Sequence, residues 1–116
     1  MNNHISLIAT FLIMTGCATD PVPSEQLRLT EQALMHARAA GASAQSDEWA
    51  AAQRKLAEAI AAIKREDYRA ARLHAEQAEL DARLAEAKAL TDKSRLELTD
   101  LNRRIAGVRQ QLGDMR

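Results

Sequence analysis

The chain has 116 residues, enough for one domain, and Lys plus Arg balance Asp plus Glu at 16 each, so its formal charge is zero. That balance leaves no electrostatic footprint for nucleic acid, and none is expected as a partner. Hydrophobic residues make up 47% but aromatics only 3%. Much of the apolar fraction is Ala, which suits close-packed helices better than a thick core. No segment alternates β-branched with polar residues, whereas Ala, Leu, Glu, Gln, Arg and Lys dominate, so the expected class is all-α.

At the N-terminus, Ile5 to Met14 form a ten-residue run without a charge. It is too short to span a bilayer as a helix and has the length of a signal-peptide hydrophobic region. Met14-Thr15-Gly16-Cys17 follows, and Cys17 is the only cysteine. This arrangement resembles the lipobox of bacterial lipoproteins. The resemblance implies a signal peptide over residues 1–16, cleavage between Gly16 and Cys17, a diacylglycerol thioether on Cys17 and an acyl chain on its new amino group. Three acyl chains anchor a protein stably where one binds a membrane only marginally. No other cofactor is expected, and a single cysteine allows no internal disulfide. In the sorting of such lipoproteins an Asp after the lipidated cysteine retains the protein in the inner membrane. Ala18 stands there instead, which by resemblance implies the periplasmic face of the outer membrane.

Residues 17–23 read as the lipidated cysteine and a tether, because Pro21 and Pro23 prevent helix. A helical domain over 24–116 follows, with helices expected at about 24–40, 47–65 and 67–115. Ser24 is placed to cap the first, with Glu25 favourable to its dipole. That helix carries Leu27, Thr30, Leu34 and Ala37 on one side and Leu29, Ala33, His36 and Ala40 beside them. Gly41 ends it, and Ser43 or Ser46 caps the next.

The second helix sets Trp49, Ala52, Leu56, Ala59, Ile60 and Ile63 on one face. Lys64 and Arg65 suit a helix end and Asp67 a helix start, so the chain is expected to reverse near Glu66. No Gly or Pro marks that turn. The alternative is an unbroken rod, which would leave a stripe of small residues after Tyr68 in water.

The third helix shows two heptad frames. Tyr68, Ala71, Ala75, Ala78, Ala82, Ala85 and Ala89 follow one; Leu73, Leu80, Leu84, Ala87, Leu98, Leu101, Ile105, Val108, Leu112 and Met115 follow the other. The frames lie two residues apart, which puts them on nearly opposite sides of one helix. Trp49, Leu56, Ile60, Ile63, Tyr68, Ala71, Ala75 and Ala78 are the expected packing residues of the helix pair. The expected fold is thus an antiparallel helical hairpin or three-helix arrangement with a long, coiled-coil-like C-terminal helix.

Glu66-Asp67-Tyr68, with Ala71, Ala75 and Ala78 after it and Ala59 before, resembles the second half of a tetratricopeptide unit, covering about one repeat and implying a helix pair. More widely, residues 17–112 resemble a family of short, Ala-rich bacterial lipoproteins built on a helical domain of unknown function. The lipobox, Leu56-Ala57-Glu58-Ala59, Asp67-Tyr68-Arg69-Ala70-Ala71 and the run from Ala75 to Ala82 carry that similarity. Some relatives also carry an OmpA-like peptidoglycan-binding domain after the helices.

Residues for chemistry are sparse. His36 and His74 lie on different helices with no free cysteine to join them, so no metal site is expected. Carboxylates fall at the spacing of a solvated face, with Glu79 and Arg83 able to pair at i, i+4. No Ser, His and acid arrangement and no phosphate loop occurs, and the chain is not expected to be an enzyme.

The best candidate site is the C-terminal seam, Leu98, Leu101, Ile105, Val108 and Leu112, since neither earlier helix is long enough to cover it. A coiled coil with a second copy or with another envelope protein is expected there. A parallel homodimer would set Arg104 against Arg109 across the seam, so antiparallel pairing, a trimer or a different partner stay open. The expected role is that of a lipid-anchored periplasmic structural or adaptor protein of the cell envelope. The alternative is an envelope lipoprotein that touches peptidoglycan non-covalently.

Overall fold

The structure is a computed structural model that describes residues 20–115. Gly16 and Cys17, with the whole lipobox, lie outside the described residues. Three helices follow one another: α1 (Ser24–Ala40), α2 (Asp47–Lys64) and α3 (Tyr68–Asp114). All-α architecture with one long C-terminal helix is as the composition and periodicity require. The chain reverses after α2, so the unbroken rod is excluded.

Each boundary has a local cause. Gly41, at φ 107°, ends α1, and Ala42 N–H donates back to the Ala37 carbonyl at 2.9 Å. The Ser46 hydroxyl accepts from Trp49 N–H and caps α2, with Asp47 and Glu48 in the first turn. After α2 the same closing motif recurs without glycine. Glu66 takes the left-handed conformation at φ 60°, and Asp67 N–H donates to the Ala62 carbonyl at 3.0 Å. Asp67 then caps α3 by accepting from Ala70 N–H at 3.0 Å. The start of α1 departs from expectation. Ser24 already lies in the first turn, and the Pro23 carbonyl accepts from Leu27 N–H at 3.0 Å, so no side chain caps this helix.

The first half of α3 is the axis of the fold, with α1 and α2 both laid along it and little close approach between those two. On α1, Gln26 reaches Glu79, whereas Gly41 just past its end lies near Lys88, so α1 runs parallel to α3. On α2, Glu48 pairs with Lys88, Lys55 with Asp81 and Glu58 with His74, which makes α2 antiparallel.

The core is almost entirely alanine. Ala33 and Ala37 of α1, Ala52, Ala59 and Ala62 of α2, and Ala71, Ala75, Ala78, Ala82 and Ala85 of α3 are buried. Small side chains let helix axes approach to about 8 Å, the short end of the usual range. Ala33, Ala52 and Ala82 meet where the three helices converge, with Leu34 packed against them.

Among the described residues Thr30 is the one buried polar side chain of this core, and it is fully buried. Its hydroxyl sits 2.8 Å from the Gln26 carbonyl oxygen and 2.9 Å from that of Ala75, and its single proton can serve either. The hydroxyl therefore ties α1 to α3 without leaving a buried group unpaired.

Candidate interaction surface

Of the residues expected in the helix-pair packing, Ala71, Ala75 and Ala78 are buried, and Trp49, Leu56, Ile63 and Tyr68 are half-buried. Ile60 is a correction: it is 42% exposed. The inward stripe of α2 runs through Ala52, Ala59 and Ala62, and Ile60, one position beyond Ala59, is rotated by about 100° away from it.

Charged groups line the flanks where α1 and α2 meet α3. Lys55 Nζ lies 2.7 Å from Asp81 Oδ2, and His74 Nδ1 lies 3.2 Å from Glu58 Oε2, contacts between α2 and α3 in which neither Asp81 Oδ2 nor His74 Nδ1 makes a hydrogen bond. Gln26 Nε2 donates to Glu79 Oε2 at 2.6 Å, and Arg83 pairs with the other oxygen of Glu79. Glu48 bonds Lys88, whose ammonium holds that carboxyl below the usual carboxylate range; backbone and Ser46 bonds act in the same direction. Glu48 in turn raises Lys88. His36 is exposed beside the open groove between α1 and α3. Among the described residues no group of three or more His, Cys, Asp or Glu side chains could hold a metal ion. No helix among them is long and apolar enough to cross a membrane.

The seam residues Leu98, Leu101, Ile105, Val108 and Leu112 all face solvent, from 41% exposed at Ile105 to 60% at Leu98. Neither α1 nor α2 reaches them. At 1.5 Å per residue the uncovered part of α3, residues 91–114, extends on the order of 35 Å past the bundle.

The exposed stripe is longer than the seam singled out from sequence. Leu73, Leu80 and Leu84 are also exposed, Leu80 by 66%, although α1 and α2 cover the opposite side of the same turns. With Met115 they lie on the heptad frame of the seam, and that shared frame was the available signal. The face therefore runs the length of α3, interrupted by Gln77, Thr91 and Ser94 at frame positions. Exposed apolar stripes of this kind are the surfaces through which proteins commonly make contacts.

A family described as Domain of unknown function (DUF4398) matches residues 25–101, from the first turn of α1 into the overhang of α3. The chain is similar to a DUF4398 family protein from Pseudomonas aeruginosa PAO1 whose crystal structure is solved. Identity is 52% and the TM-score 0.81, over 83% of this chain and 100% of that one. No curated protein matches.

Proposed function

Since the chain belongs to the DUF4398 family, a domain of unknown function, we propose that it serves as a lipid-anchored structural or adaptor protein of the bacterial envelope, held at the periplasmic face of the outer membrane and acting through helix–helix contact. The observation that carries this reading is the exposed leucine stripe of α3, which no part of the described chain covers. A surface of this shape suits another amphipathic helix, whose apolar residues would recur at the same 3.5-residue spacing.

The lipid anchor rests on the run from Ile5 to Met14 and on Met14-Thr15-Gly16-Cys17. Pro21 to Pro23 lie beside Arg72 and Glu76, so the tether leaves the domain at the start of α3. The tip of α3 is then on the order of 60 Å from the tether along the helix axis.

Two measurements test the proposal. Mass spectrometry of the mature protein from its native host should find Cys17 as the first residue carrying acyl chains; an intact Met1 with a free thiol contradicts the anchor. Crosslinking in envelopes should capture a protein partner that is lost with Leu101→Asp and Ile105→Asp together. An unchanged crosslink pattern removes the seam from the account. Co-sedimentation with the sacculus that survives both substitutions would favour peptidoglycan contact instead.

A further inference from the structure

We infer that the leucine stripe of α3 is covered by the same stripe of a second copy of this chain, antiparallel, with Leu73 and Leu80 opposite Ile105 and Leu98 of that copy. The inference rests on the helix–helix reading above and names its partner. Three observations support it.

The first is the placement of exposed surface. Leu73, Leu80 and Leu84 lie on the bundle half of α3, and Leu98, Leu101 and Ile105 on its bare half, all solvent-facing on one heptad frame. In the antiparallel arrangement the bare half of each copy lies over the bundle half of the other. Leu101 then meets Gln77, Leu84 meets Ser94, and Ala87 meets Thr91, so each polar interruption faces an apolar residue and never another interruption. The shared contact spans on the order of 50 Å. The route is open, because α1 and α2 pack on the alanine face and leave these leucines exposed.

The second is charge. One flank of the stripe carries Glu76, Arg83, Leu90, Glu97 and Arg104, and in antiparallel pairing this flank meets itself. Glu76 then faces Arg104, Arg83 faces Glu97, and Leu90 faces its own copy, each charged pair occurring twice by symmetry. On the other flank, Asp81 faces Arg95 and His74 faces Asn102. Lys88 meets Lys88, each already bound to its own Glu48. Arg83, Arg95 and Arg104 are exposed and held only by surface pairs to Glu79, Asp92 and Asp100 of their own helix, so they re-aim readily.

The third is register. A parallel dimer would instead oppose Glu76 to Asp81, Arg83 to Lys88 and Arg104 to Arg109, three like-charged pairs, with no opposite-charge pair at Leu90 and Arg95 or at Glu97 and Asn102. Sliding the antiparallel pair by one heptad puts Arg83 against Arg104 in one direction and Glu76 against Glu97 in the other. Charge repulsion of this kind is how coiled coils fix orientation and register. The two tethers emerge about 50 Å apart along the pair, and a two-fold axis along the bilayer normal sets both at one height.

Sedimentation equilibrium of the full-length protein tests this, in mild detergent at large excess so that each micelle holds one anchor. The wild type should be a dimer at tens of micromolar, and Arg104→Glu should weaken it by about tenfold or more, because two attractions become two repulsions. Adding Glu76→Arg should restore the wild-type affinity. Both positions are exposed, and circular dichroism verifies that the helices persist. A monomeric wild type, a dimer strengthened by Arg104→Glu as a parallel pair would be, or a dimer indifferent to it, overturns the inference. If the wild type is monomeric while its envelope crosslinks still vanish with the Leu101→Asp and Ile105→Asp pair, the contact face stands and the second copy does not.

Discussion

The two halves of α3 carry one leucine heptad frame and live under opposite conditions. From Tyr68 to Ala89 one side of the helix is sealed by α1 and α2 through alanines, while its leucines face water. From residue 91 to 114 no side is sealed, and nearly every residue is exposed. The first half gains its stability from tertiary packing. The second has only helix propensity and surface pairs such as Arg104 with Asp100, 2.8 Å apart, and a helix so placed is marginal in water. Alanine, not leucine, marks where this chain folds on itself, and leucine marks the face left in water.

Substitutions at matched positions sharpen that contrast. Ala82 is fully buried where the three helices converge; Ala106 is exposed on the bare half. Ala82→Leu should overpack the crossing and cost about 2 kcal/mol or more, lowering the melting temperature by roughly 10 °C. Ala106→Leu should leave it within a few degrees, as read by circular dichroism on heating. Equal effects would mean that the halves are not distinct.

Thr30→Val keeps the shape of the buried side chain and removes the bond from α1 to α3. Its cost should be about 1 kcal/mol, read by urea unfolding. A neutral result would show that the Ala75 carbonyl does not need that donor.

Glu66 occupies the left-handed position that a glycine would fill without strain. Glu66→Gly should stabilise the turn into α3 by about 0.5–1 kcal/mol, again by urea unfolding, without changing the bare half's exchange of amide hydrogens.

The smallest effect concerns the Glu48–Lys88 bond, at the end of the covered half. Its carboxyl is lowered, so its contribution is present above the usual carboxylate range and is lost as pH falls through the lowered value. Lys88 is raised, so its contribution is present below the usual lysine range and is lost as pH rises through the raised value. Melting temperature should therefore fall at both extremes, and Glu48→Gln should flatten both shoulders. A profile untouched by that substitution would show the bond to be idle.

Much of this was legible in the sequence, for physical reasons that differ by element. The alanine stripe of α3 repeats without a break, so its burial could be read from period alone. The reversal after Lys64 was legible from charge and from the Asp67 cap, even though a glutamate rather than a glycine makes the turn. Less legible was Ile60, because an apolar residue beside an alanine stripe looks inward until the crossing geometry decides which residue the neighbour touches. Thr30 could not be singled out as the polar core residue, since its value depends on a carbonyl brought alongside by α3. The seam was found only in its distal part: Leu73, Leu80 and Leu84 share its frame, but their exposure depends on which side of α3 the other helices take.

The most direct test of the contact face is amide hydrogen exchange along α3 at increasing protein concentration. Residues 68–89 should be protected at every concentration, and residues 91–105 should exchange rapidly when dilute and become protected as copies meet. Exchange across 91–105 that stays fast and independent of concentration, up to the level where the pair should form, would contradict self-association through the leucine stripe.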